Sequence, residues 1–222
     1  MSIHILCLNI LLLTATCYPT AIPQIMLPYL VRYAGKKGNA IYLCMCNILY
    51  AVLCVITLVV LEEPSSLHIK APIAIWWYFI AVGAGIGLIL LEFFLGKMIM
   101  FLQGIKVKGF SINSGWQNAS IFVFVCTVVL AVLEEVNFRM VWYEVLVEQI
   151  GLPVYVFILF SAVFYAVNHL YYGVITFLQK FVTGIILTLF YIFSGQTIII
   201  PVLAHVLQNI VILILGRSRS VE

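Results

Sequence analysis

The chain has 222 residues, 65% of them hydrophobic and only 9% charged, where a soluble domain averages about 25% charged residues. That excludes a soluble globular protein and leaves one polytopic membrane domain with no room for a sizeable soluble module. The net charge of +3 calls for no nucleic-acid partner, because the basic residues fall in loops and tails between apolar runs.

Ser2 to Cys17 is apolar and lacks the basic start of a secretory signal, so an uncleaved first membrane helix is expected. Thr16 is a poor residue to precede the cysteine of a lipoprotein cleavage box. Pro19, Pro23 and Pro28 predict a break or kink before Val31. Arg32, Lys36 and Lys37, with Gly35 and Gly38, make the first loop. Ala40 to Leu61 is a second span of about the 20 residues a bilayer core requires. Glu62 to Pro72 is a polar connection. Ile73 to Leu91 is a third span, whose Gly83, Gly85 and Gly87 offer close helix approach or local flexibility. Glu92 and Lys97 are expected at or just past its end, snorkelling to the interface. Gln103 to Asn118 is the longest polar linker, dividing a variable front of membrane spans and loops, residues 1–118, from the region 119–216. Residues 217–222 form a short basic tail.

A fourth span begins at Ala119 and carries Ala131 to Tyr143, AVLEEVNFRMVWY. Glu134, Glu135 and Arg139 interrupt an otherwise apolar helical pattern, and in lipid such charges cost roughly 2.5 to 3.5 kcal/mol each at a helix centre. Glu135 and Arg139 are four apart and share a helix face, where they can pair. Glu134 is turned about 100° away and stays free to face something else. A fifth span is predicted from Val154 to about Leu170, a sixth from Gly173 to Phe193 and a seventh from Thr197 to Leu215. The fold class is therefore an all-α transmembrane bundle of about seven spans.

Three further polar residues interrupt the back-half spans: His169, His205 and Asn209. A lone histidine in a helix is more often a packing residue than a catalyst. Two histidines, an asparagine and two glutamates in one small membrane domain each need a partner away from lipid, and the cheapest partners are one another. Lys180 reads as a pore-facing or snorkelling charge. The six cysteines, all in or beside apolar runs, read as small buried hydrophobes, and Trp76, Trp77, Trp116 and Trp142 as interfacial residues.

Glu134-Glu135-x-x-x-Arg139, then Tyr165-x-x-x-His169, then His205-x-x-x-Asn209 resembles the three ordered motifs of the CAAX-protease and bacteriocin-processing family, which includes the Ras-converting enzymes and their bacterial relatives. The resemblance covers roughly Ala119 to Leu215 and implies that residues 119–216 are a catalytic core. One departure is Tyr165, where the family usually has Phe; the added hydroxyl needs a partner. Peptide hydrolysis in a membrane requires a water, a base and donors for the oxyanion. Glu134 and His169 can act on the water, and His205 and Asn209, on one face, can serve the oxyanion; the resemblance implies the same roles. Glu135, Arg139 and Tyr165 are then the supports behind them.

The expected activity is that of a glutamate-type intramembrane endopeptidase. Its expected partners are the lipid bilayer and a peptide or protein substrate at the membrane: a prenylated tail, a bacteriocin or signalling precursor, or another membrane protein. No HExxH zinc helix is present, and no cofactor is expected. A divalent metal such as zinc ranks second, since Glu and two His could ligate one but Asn209 is a poor ligand. The rival readings are a proton-coupled transporter and a non-catalytic scaffold or immunity protein. Seven spans place Arg32, Lys36, Lys37, Lys97, Lys106, Lys108, Arg217 and Arg219 on one side, cytoplasmic by the positive-inside rule. His205 lies near the start of its span, which predicts a site opening on the other side, whereas the resemblance implies an opening to the cytosol.

Overall fold

Backbone polar groups in a hydrocarbon core must be satisfied within their own segment, so a chain this apolar folds as helices. The computed structural model describes residues 3–61, 69–105 and 120–218. They form α1 (Ile3–Cys17), α2 (Ala21–Ala34), α3 (Lys36–Val60), α4 (Trp76–Leu102), α5 (Ile121–Glu135), α6 (Val154–Val167), α7 (Val174–Phe193) and α8 (Ile199–Ser218). Among the described residues six segments are long and apolar enough to cross a membrane, with α1 and α2 counted as one and α6 as a shorter apolar helix beside them. The protein is thus a multi-pass integral membrane protein with a helical bundle of about seven spans. The expected loops at 62–68 and 106–119, with Lys106, Lys108, Trp116 and the first residue of the fourth span, lie outside the described residues, as does the tail from 219.

The first span breaks where the prolines predict, at Tyr18-Pro19-Thr20 between α1 and α2. Gly35 then turns the chain into α3 at φ +55°, a conformation that a residue without a Cβ adopts at no steric cost. Several boundaries differ from expectation: Arg32 lies inside α2 and Lys36 to Gly38 inside α3, so the expected first loop narrows to Gly35. α4 runs on to Leu102, so Glu92 and Lys97 lie inside it rather than at its end. No breaker follows Leu91, and Glu92 finds a cationic partner there instead of seeking the interface. α6 has only 14 residues, about 21 Å at 1.5 Å per residue, and stops before His169. Asn168 Nδ2 donates back to the Phe164 carbonyl at 2.8 Å, and a 3₁₀ turn, Leu170–Tyr172, leads through Gly173 at φ +105° into α7.

The fourth span changes character at the motif. Immediately after Glu135 the α-helical ladder widens to a π-helix over Val136–Val141 and again over Glu144–Gln149. Such wide turns are rare and occur frequently at functional sites.

Small residues set the helix contacts. Gly85 of α4 lies against α8, where an added Cβ would sit 2.7 Å from Leu207 Cβ. Gly184 of α7 packs on Ala162 and Tyr165 of α6 in the same way, at 3.0 Å. Gly83 and Gly87 touch nothing, so only one glycine of the trio serves close approach. α4 and α8 run parallel: Trp77 packs with Ile200 and Ala204, and Gly85 with Ala204 and Leu207. α7 runs against them, with Phe190 beside Trp77 and Gln179 beside Gly96. α5 is antiparallel to α8, with Val123 near Leu213 and Glu134 near His205, and α3 follows α5, with Asn47 on the Cys126 carbonyl and Tyr50 against Phe138. One end of the bundle therefore gathers the α2–α3 turn with Arg32 and Lys37, the last turns of α4 with Lys97, the C-terminus of α8 and the start of α7.

Candidate active site

The three motifs meet. Glu134, His169, His205 and Asn209 all line one cavity of about 520 Å³. Glu134 ends α5, His169 follows the last turn of α6, and His205 and Asn209 sit one turn apart on α8. The same periodicity turns Glu135 and Arg139 out of the cavity and into protein, where both side chains are 0% exposed.

Glu135 is the hub of the support. Its Oε2 lies 3.1 Å from Arg139 Nε, and its Oε1 accepts from His205 Nδ1 at 2.8 Å. Arg139 also donates from Nη2 to the Gly184 carbonyl at 3.3 Å and lays its guanidinium over the Tyr165 ring at 4.7 Å. The expected pairing of Glu135 with Arg139 is present, and the carboxylate also orients a histidine. The Tyr165 hydroxyl has the partner its sequence position demanded: it lies 3.4 Å from His205 Nε2. Glu134 Oε2 stands 3.9 Å from that same nitrogen, beyond hydrogen-bond distance, leaving the carboxylate turned to the cavity.

These bonds fix what each ring can do. His169 Nδ1 donates to the Tyr165 carbonyl at 3.0 Å, so in the neutral ring Nε2 is an acceptor, suited to a water hydrogen. His205 Nδ1 is committed as a donor to Glu135, so Nε2 can donate to an oxyanion only when the ring carries both protons. The resulting charge would lie between the Glu135 and Glu134 carboxylates. Among the described residues no group of three His, Cys, Asp or Glu is gathered as a ligand set.

Two features lay outside the sequence reading of the site. Glu92 and Lys180 line the same cavity as an ion pair, Nζ to Oε1 at 2.7 Å, with Thr183 Oγ1 donating to that oxygen at 2.7 Å. Lys180 is therefore not snorkelling; its side chain is only 13% exposed. The signal was there in Glu92, flanked by apolar residues on both sides in LILLEFFLG. The other feature is Asn168, next to His169 and buried among polar atoms of α1, α2 and α3.

The cavity runs away from the start of α8, opposite to what the place of His205 near the start of its span predicts. From Glu134 and His205 its walls continue through Thr176, Tyr172, Lys97 and Met100, toward the end of the bundle that carries Arg32 and Lys37. The start of α8 is no mouth, because Trp77, Ala81, Leu88, Leu187, Ile200 and Ala204 fill that end. Nearness of His205 to its helix start is overridden by this apolar packing.

No curated protein and no solved structure matches the chain. One family model does: residues 116–211, the segment that carries Glu134, His169, His205 and Asn209, match the Rce1-like type II CAAX prenyl endopeptidases, the family that the three motifs resemble.

Proposed function

We propose that the protein is an intramembrane endopeptidase in which Glu134 and His169 activate a water while His205 and Asn209 hold the oxyanion. The observation that carries this reading is the Glu134 carboxylate, 3.9 Å from His205 Nε2 and outside hydrogen-bond distance of it, facing a cavity that the other three residues share. In the step, water donates one hydrogen bond to Glu134 and one to His169 Nε2. Its oxygen attacks the carbonyl carbon as a proton passes to Glu134, and the carbonyl oxygen gains charge toward His205 Nε2–H and the Asn209 amide. Collapse breaks the C–N bond, and the proton on Glu134 moves to the departing amine. Glu135, held by Arg139, keeps His205 aimed through Nδ1. The reaction so written needs no metal, and zinc stays the second choice.

A transporter would need a path across the bilayer, whereas the apolar cluster around Trp77 and Leu88 caps this cavity. The substrate is a peptide or protein reached from the membrane, and the matched family points to a prenylated carboxy-terminal tail. The test is purified protein in vesicles with a synthetic peptide ending in a farnesylated cysteine and three further residues. Wild type releases the terminal tripeptide, detected by mass, and still does so after dialysis against EDTA. Glu134→Gln, equally expressed, is slower by at least about 100-fold. Equal turnover by Glu134→Gln overturns the assignment. Activity lost on chelation and restored by one metal moves Glu134 and the histidines to ligand roles.

A further inference from the structure

The break in the first span and the residue before His169 are built into one another. Asn168 Nδ2 donates to the Cys17 carbonyl at 2.9 Å, at the end of α1. Its Oδ1 accepts from Thr20 Oγ1 at 2.8 Å, and its own carbonyl accepts from Gln24 Nε2 at 2.6 Å. Gln24 Nε2 also donates to Thr20 Oγ1 at 2.9 Å, and the Tyr50 hydroxyl of α3 approaches Oδ1 at 3.4 Å. Asn168, Thr20 and Gln24 are each 3% exposed. An asparagine buried at membrane depth is costly unless its amide is satisfied, and here both ends of it are.

The backbone leaves α6 at this point, so His169 keeps its Nδ1 bond to the Tyr165 carbonyl of α6 but takes the rest of its position from the way the chain exits the helix. What fixes the exit is the Asn168 carbonyl on Gln24 and the Asn168 amide between Cys17 and Phe164. Thr20 itself lines the cavity. We propose that the Cys17–Thr20 break is a working part of the site: Thr20 and Gln24 are positioning residues that, through Asn168, set the place of His169. The front of the chain is on this view a component of the catalytic apparatus. The inference rests on the proposed function only where its test reads cleavage.

Thr20→Val keeps the shape of the side chain and removes the hydroxyl that serves both Asn168 and Gln24. The first readout is the rate at which diethyl pyrocarbonate modifies His169 in detergent, followed by peptide mass and referenced to the exposed His4. The second is kcat and KM on the farnesylated peptide. Thr20→Val and Gln24→Leu are expected to change the His169 rate and lower kcat by roughly five- to thirty-fold, the effect of one or two buried hydrogen bonds, with KM nearly unchanged. Thr20→Ser recovers most of the loss. The proposal is overturned if His169 reacts as in wild type in both variants, or if Thr20→Ser is as impaired as Thr20→Val. A melting temperature that falls while kcat holds also overturns it. Should wild type cleave no peptide, the modification rates decide alone and the failure belongs to the assigned activity.

Discussion

Glu135 takes on two neighbours at once, and that decides what its replacement does. Removing Arg139 leaves a carboxylate buried beside His205 without its counter-charge, a change that costs about 3–5 kcal/mol. Arg139→Leu should therefore lower both the amount of folded protein and its activity. Replacing Glu135 and Arg139 together by leucine should restore much of the folded protein, measured as detergent-extracted monodisperse material. It should not restore cleavage, because His205 Nδ1 then loses its acceptor. Single variants as thermostable as wild type would mean that the pair contributes nothing to folding. At this scale much was legible in sequence: charges inside an apolar run announce themselves, and a spacing of four puts Glu135 with Arg139 and His205 with Asn209. The contact between Thr20 and Asn168 was not, because it joins residues 148 apart that no local periodicity relates.

Among the elements, α4 and α8 depend on a single glycine. Gly85→Val would drive a Cβ to 2.7 Å from Leu207 Cβ, close to His205 and Asn209 in chain position, and overpacking of this kind costs about 1–3 kcal/mol. The expected outcome is a lower melting temperature and reduced cleavage, with Gly87→Ala indistinguishable from wild type because its Cβ meets nothing. Equal effects at the two positions would refute this packing. The composition of LILLEFFLG carried no stop signal, so the span could be counted to end before Glu92 although the helix continues; the partner that tolerates Glu92 there, Lys180, lies on another helix. The π-turns after Glu135 had no sequence signature either; Phe138 and Arg139 within the first of them pack against α6 and α7.

For the whole molecule, helix directions reconcile two expectations that conflicted in the sequence. Arg32, Lys37 and Lys97 share one end of the bundle with the cavity mouth, and the positive-inside rule predicts that this end is cytoplasmic. In a cysteine-free background, Lys97→Cys should react with an impermeant maleimide only in inverted vesicles. Lys70→Cys, whose backbone carbonyl holds Thr197 near the start of α8, should react only from the outside of intact cells. The reverse pattern would place the mouth outside.

The shortness of α6 has a bearing on water supply. Phe157 near its start stands beside Tyr191 near the end of α7, so the missing length lies at the His169 end. A segment of about 21 Å is some 9 Å short of a typical hydrocarbon core of about 30 Å, and a bilayer meets such a deficit by thinning around it. The lipid surface would then dip toward the residues that need a hydrolytic water, making membrane thickness itself a determinant of rate. Vesicles of shorter-chain lipids should support faster turnover than longer-chain ones at equal substrate loading.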